Sequence, residues 1–189
     1  KHDVSTTLLP VLARGHNDDE VGDFIRLALR KDFIRSVELH TMTFTGQGGA
    51  GFDPDSRYTA YDVLCDIERH TDGQLRISDF VPAPAAHPLC YQVCYLLRLD
   101  DNSFYPFTRF MRPDDIRALL GGMLYLEPGP EQEATISDVI SRLWSDEIAC
   151  EKKEPVLAAL KRLAQKVYAP GVSFEDRLRL AEHDTKTVY

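Results

Sequence analysis

The feature that most constrains this chain is a strand–helix–strand pattern over residues 4–45 whose joins are too short for anything but a parallel crossover. Residues 4–14 (VSTTLLPVLAR) are apolar and β-branched with Pro10 in their middle, which reads as a buried or edge strand of a parallel sheet. Gly15 turns the chain, and Asn17 stands at the N-cap position with Glu20 three residues on, the spacing of a capping box. Val21, Phe24, Ile25, Ala28 and Leu29 then recur at helical spacing and form one apolar stripe. A second strand is expected over 35–45, with Val37, Leu39 and Thr41 on one face and Glu38, His40, Met42 and Phe44 on the other. The two strands should lie side by side, parallel, with helix 17–30 on one face through a right-handed crossover. If that face is fully buried, Phe24→Ala should cost about 3–5 kcal/mol.

The glycine-rich stretch 45–57 (TGQGGAGFDPDSR) reads as a flexible loop. It lacks the GxGxxG order and the terminal Lys-Ser/Thr of a phosphate cradle, and no long apolar helix opens at its end. Thr59 with Asp62 caps a helix whose apolar face is Ala60, Val63, Leu64 and Ile67, ended by Asp72-Gly73. Three prolines between 82 and 88 argue against regular structure there. YQVCYLLRL, the turn DDNS and FYPFTRF read as a β-hairpin, although the first arm also suits a helix. From Asp114 the pattern is helical. Successive stripes are Ile116/Leu119/Leu120/Met123, Ile136/Val139/Ile140/Leu143 and Val156/Leu160/Leu163/Val167, and a short last helix is capped by Ser173 with Asp176. The closing Thr-Lys-Thr-Val-Tyr reads as the start of another element. A chain that opens on one strand and closes on another looks like part of a longer protein, and an unusual complete domain would look the same.

Composition excludes several classes. With 43% hydrophobic and 28% charged residues the chain should fold, and its net charge of −8 should repel phosphate backbones. No face gathers Lys and Arg with interleaved aromatics, so nucleic acid is not an expected partner. No apolar run approaches the roughly 20 residues of a membrane span. The start, Lys-His-Asp-Val, has neither an initiator Met nor the features of a signal peptide. Cys65, Cys90, Cys94 and Cys150 are expected as free thiols in a reducing cytoplasm. His87, Cys90 and Cys94 stand as His-x2-Cys-x3-Cys, three soft ligands for zinc or an iron–sulfur cluster if a fourth comes from elsewhere; no second Cys/His pair accompanies them. The acid pairs Asp18/Asp19, Asp100/Asp101 and Asp114/Asp115 fall at helix starts or turns, where carboxylates favour the local geometry. His40 is a lone histidine, expected to pack rather than to catalyse.

Two passages resemble a known family. LLPVLARGHNDDEVGDFIRLAL (8–29) followed by IRSVELHTMTFTGQGG (34–49) is similar to the fifth and sixth βα units of a radical SAM barrel, where a strand leads to Arg-Gly-x-Asn-Asp-x-Glu and a helix. SDFVPAPAAHPLCYQVCYLL (78–97), preceded by RYTAYDVLCDIERHTDGQL (57–75), resembles the region after the barrel in the branch that includes archaeal tetraether lipid synthase and methyltransferase-like relatives. The resemblance covers about residues 5–100 and fits the remainder more loosely.

The resemblance implies an α/β fold: a partial parallel (β/α) barrel over 1–77, a Pro-rich loop and β-hairpin over 78–112, and a helical region over 113–189. It implies S-adenosylmethionine and a [4Fe–4S] cluster as cofactors, and reductive cleavage to a 5′-deoxyadenosyl radical that functionalises an inert carbon, by lipid alkylation or methylation. Arg14, Asn17, Thr41, Met42 and Thr43 would meet S-adenosylmethionine at the carboxyl ends of the strands; the alternatives are a surface ion pair for Arg14 and an N-cap for Asn17. The apolar, proline-restricted block 79–90 reads as a rigid substrate-side loop in which Phe80 and His87 would face a small-molecule or lipid substrate, or equally as a plug for the open end of a barrel. Cys90 and Cys94 match the first spacing of the cluster motif Cys-x3-Cys-x2-Cys, but Leu97 occupies its third position. The triad is therefore expected upstream, with the missing N-terminal half of the barrel, and the isolated chain is expected to be inactive. Two other readings stay open: a non-catalytic α/β binding or interaction domain, and a metal-binding structural module on Cys90 and Cys94.

Overall fold

The computed structural model describes residues 4–83, 86–87, 90–121 and 128–189. The opening segment is split by its proline into β1 (Thr6–Leu8) and β2 (Val11–Leu12). Their parallel partners are β3 (Ile34–Val37) and β4 (His40–Thr41). The ladder runs on between them. Leu8, Pro10 and Leu12 carbonyls accept the N–H groups of Glu38, His40 and Met42 at 2.8, 3.0 and 3.0 Å. Pro10 brings no donor, so it sits where only its acceptor is needed. The expected parallel pairing of 4–14 with 35–45 is therefore present.

A bulge distinguishes the two faces of this ladder. Thr6 opposes Ile34 but Thr7 opposes Ser36, so Arg35 is the extra residue. Ile34 and Val37 consequently both pack under α1 (Val21–Arg30), with Ala28. The opposite face is polar: the Thr7 and Ser36 hydroxyls lie 2.8 Å apart, and Ser36 is in register with Thr187.

The helix differs in two respects from the sequence expectation. Asn17 makes no side-chain cap; a 3-10 turn at Asp18–Glu20 precedes α1, and the expected capping box is not formed. Its amide instead clamps the end of β2, accepting the Ala13 N–H at 2.9 Å and donating to the Val11 carbonyl at 3.0 Å. β2 has just run out of ladder partners there, and the unpaired backbone takes the amide first. Secondly, Val21, Ile25 and Ala28 are buried while Phe24 and Leu29 are only half-buried, so Phe24 is not the anchor of the face.

The glycine-rich stretch holds one helical turn, α2 (Gly46–Gly49). α3 (Ala60–His70) begins with the expected reciprocal capping box of Thr59 and Asp62. It crosses α1 closely enough that a Cβ on Gly22 would lie 2.6 Å from the His70 carbonyl, so the contact demands glycine.

β5 (Val81–Pro82) pairs antiparallel with the start of β6 (Gln92–Arg98), and β6 forms a hairpin with β7 (Phe104–Pro106). The hairpin reading of this segment holds and its helical alternative falls away. Regular structure reaches Pro82, because the strand is short and lies at an edge. Leu89 and two of the prolines of that block, Pro84 and Pro88, lie outside the described residues, as does Met123.

Among the described residues four helices follow, α4 (Pro113–Leu120), α5 (Pro130–Trp144), α6 (Lys153–Val167) and α7 (Phe174–Asp184), the last capped by Ser173 accepting the Asp176 N–H at 3.1 Å. The closing residues form β8 (Thr185–Val188). β8 enters the sheet between β3, to which it is parallel, and β6, to which it is antiparallel. The main order is β1-β3-β8-β6-β5, with β7 alongside β6. The fold is thus mixed α/β with parallel pairs, and the described residues form no closed barrel.

Two cores share β6. Val93, Tyr95 and Leu97 face α4–α7, whereas Cys94 and Leu96 face the cluster of Leu12, Val21, Ile25, Val63 and Ile67. Burial on both sides explains why this strand reads as a continuous apolar run. Lys186 locks β8 against α1: its Nζ donates to the carbonyls of Ala28, Lys31 and Ile34. Ala28 lies in the last turn of the helix and Lys31 just beyond it, where an ammonium meets free carbonyl lone pairs and the negative end of the dipole. Among the described residues no helix is long and apolar enough to cross a membrane.

Candidate functional site

Because β2, β4 and β8 run in one direction, their carboxyl ends come to a common edge, where parallel sheets usually hold ligands. A cleft of about 180 Å³ opens there. The segment through β4 contributes Glu38, Leu39, His40 and Thr41, and α3 contributes Ala60, Val63, Leu64 and Ile67. Phe80, Cys90, Tyr91, Gln92 and Tyr189 close it.

One carboxylate organises its polar part. Glu38 Oε1 accepts the Tyr91 hydroxyl at 2.7 Å and lies 3.2 Å from His40 Nε2. Glu38 and His40 share a strand face at i and i+2, whereas Tyr91 arrives at the start of β6. Burial first, and the Glu38 carboxylate second, hold the Tyr91 phenol above its ordinary pKa, so it remains a donor. Its ring meets that of Tyr189 at 5.7 Å with a 54° tilt. The Tyr189 backbone continues the ladder, donating to Val37 and accepting from Leu39 at 2.8 and 3.0 Å.

A buried ion pair positions the Phe80 wall. Asp79, 1% exposed, accepts Arg109 Nε at 2.8 Å, Arg109 Nη2 at 2.5 Å and the Arg76 N–H at 2.8 Å. Arg109 also donates to the Gln74 carbonyl at 3.0 Å, so the turns at Ile77–Asp79 and Phe107–Arg109 are tied together immediately before Phe80.

The residues singled out by sequence are distributed unevenly. Thr41, Phe80 and Cys90 line the cleft. Arg14 pairs with Asp62 at 3.0 Å, donates to the Arg57 carbonyl at 2.9 Å and lies 5.4 Å over the Tyr58 ring. It thereby joins the end of β2 to the capped start of α3, and Asp62 is held below the usual carboxylate range by Thr59 first and by Arg14. Asn17 is the β2 clamp described above. Met42 is half-buried with its N–H on Leu12, and Thr43 is exposed. His87 shapes a turn, its carbonyl accepting the N–H groups of Cys90 and Tyr91 at 2.9 and 3.3 Å, and its Nδ1 lies 3.9 Å from Cys90 Sγ.

Cys94 lies on the core side of β6, fully buried, and burial pushes its thiol well above the ordinary value. Cys90 is exposed. Among the described residues no three His, Cys, Asp or Glu side chains gather as a metal site. Glu38, Tyr91 and Tyr189 were not singled out by sequence reasoning. The Glu38/His40 alternation was the one local signal, and its partner Tyr91 is 53 residues away.

No family model matches this chain. It is similar to 7,8-dihydro-6-hydroxymethylpterin dimethyltransferase of Methanocaldococcus jannaschii, at 30% identity over 128 residues, which covers 57% of this chain and 25% of that protein. The chain therefore spans about a quarter of the length of the curated relative it matches.

Proposed function

We propose that this chain is a portion of a methyl-transferring enzyme of radical SAM type, and that the carboxyl-edge cleft is its contribution to a small-molecule site. The similarity to a dimethyltransferase carries the reading, and the cleft at the strand ends supports a small-molecule site in this chain. Sequence alone left lipid and small-molecule substrates open. The polar cluster of Glu38, His40 and Tyr91 in a cleft of about 180 Å³ favours a small, polar-edged acceptor over an acyl chain.

The residues present do not fit a [4Fe–4S] cluster. Cys94 is in the core, Cys90 is exposed, and Cys65 and Cys150 are half-buried without joining a three-ligand group. In this proposal the cluster ligands lie elsewhere in the enzyme. S-adenosylmethionine fits better, because Thr41 lines the cleft and Met42 and Thr43 follow at the strand end. When bound, that cofactor supplies the one-carbon chemistry. Arg14 and Asn17 serve by holding the end of β2 and the start of α3, and Phe80 walls the acceptor from water.

The test is transfer of labelled methyl from S-adenosylmethionine to a small acceptor by the complete protein, assayed anaerobically under reducing conditions. Transfer should occur, and Phe80→Ala should lower it about tenfold or more while the protein stays folded. A complete protein that binds the acceptor but never consumes S-adenosylmethionine would instead be a binding module.

A further inference from the structure

The cleft carries fixed charge of one sign. Among the described residues Glu38 is the one carboxylate in its lining, and no lysine or arginine lines it. His40 is charged there only when protonated. The Tyr91 hydroxyl and the His40 imidazole both meet Glu38 at Oε1, which leaves Oε2 without a partner among the described residues. The Glu38 side chain keeps 27% exposure, so its charge reaches the cleft. Low-dielectric walls focus such a field, and the net charge of −8 adds to it.

The rest of the lining suits a cation that brings its own apolar surface. Val63, Leu64, Ile67 and Phe80 accept no hydrogen bond from their side chains. The Tyr91 and Tyr189 rings, 5.7 Å apart at a 54° tilt, make a corner and not a flat slot. The face of an aromatic ring attracts a cation within about 6 Å of its centre. A bare ammonium has three donors and a tightly held water shell, which an apolar wall cannot replace. Alkyl groups on the nitrogen remove donors and add surface that such walls cover.

We infer that the cleft recognises its acceptor through an alkylated ammonium group, with Glu38 as the specificity-determining charge and the Tyr91–Tyr189 corner as the seat. Glu38 acts by its charge and needs no paired donors. The volume of about 180 Å³ suits a cation of the size of choline. The inference deepens the small-molecule reading of the same cleft and rests on it.

Binding is measured by calorimetry on the complete protein without added cofactor, at about pH 7.5, above the ordinary imidazole pKa. The probes are choline, its uncharged isostere 3,3-dimethylbutan-1-ol, and ethanolamine. Choline should bind at least about tenfold more tightly than the isostere and about threefold more tightly than ethanolamine. Glu38→Gln should weaken choline about fivefold or more and leave the isostere within about twofold, which also shows that the cleft stays folded. Tyr189→Leu should weaken choline about threefold or more through loss of one side of the corner.

Equal binding of choline and its isostere overturns the inference, as does unchanged choline affinity in either variant or absence of binding at millimolar choline. Ethanolamine bound more tightly than choline overturns it too, because the cleft would then read a bare ammonium. Displacement of choline by S-adenosylmethionine but not by S-adenosylhomocysteine, which lacks the sulfonium charge, would assign the cation to the cofactor, with the same result. The two readings fail separately. Choline bound as expected without methyl transfer sinks the enzyme reading alone. Transfer to an uncharged acceptor whose affinity Glu38→Gln leaves unchanged sinks this inference alone.

Discussion

Removing the Asp79 carboxylate tests how the cleft wall is held. Asp79→Ala deletes the acceptor of three donors, two from Arg109 and one from the Arg76 backbone. The Asp79 side chain is 2% exposed and that of Arg109 is 20% exposed, so most of the pair is out of water. Breaking a buried pair by removing one partner costs about 3–5 kcal/mol. Arg109 keeps the Gln74 carbonyl and regains some water through its exposed fifth, which places the expectation at the lower end, about 3 kcal/mol. Urea melts followed by circular dichroism measure this, and thermal melts should fall by about 6–12 °C. The Arg109→Ala variant and the double variant complete a cycle whose coupling should be about 1–3 kcal/mol. A single-variant loss below about 1 kcal/mol, or a coupling near zero, would mean that the Asp79–Arg109 pair does not hold the wall.

Three further outcomes are expected. Ile25→Ala should cost about 2–5 kcal/mol by urea melts, and half-buried Phe24→Ala should cost less than about 3; the reverse order would contradict the packing. Lys186 is pulled down to about 8 from 10.5, by burial first and Arg98 second. The penalty is fully present below pH 8, and stability should rise towards pH 10.5 as the folded chain releases a proton that the unfolded chain still holds. Relative to Lys186→Met, wild type should therefore gain stability over that window in urea melts at successive pH values, and a flat difference contradicts it. Reconstituted anaerobically, the isolated chain should release no 5′-deoxyadenosine; appreciable turnover would mean that its thiols do hold the cluster.

The opening βαβ unit was legible because helix stripe, strand alternation and short joins are local signals that agree. Asn17 shows where local rules fail: it has an N-cap's position, but the unpaired end of β2 competes for its amide and wins. The same limit hid the sheet order. Thr185–Val188 is recognisable as an incipient element, yet nothing local says that it enters between β3 and β6. Its buried lysine even argues against a central strand until the carbonyls of Ala28, Lys31 and Ile34 are seen to receive it. Cysteine spacing misled in a related way. Cys90 and Cys94 are close in sequence, but one is exposed at the cleft and the other points into the core. Of the residues expected at cofactor or substrate, Thr41 and Phe80 line the cleft, while the Glu38–Tyr91 contact depends on segments 53 residues apart.

Methyl transfer at the carboxyl-edge cleft is the proposed activity that all of this serves. Its most direct test follows isotopic methyl from S-adenosylmethionine into a small acceptor with the complete protein, wild type beside Phe80→Ala. Labelled acceptor is expected from wild type, and about tenfold less from the folded variant. Label that never leaves S-adenosylmethionine, or transfer that Phe80→Ala does not alter, is the opposite result.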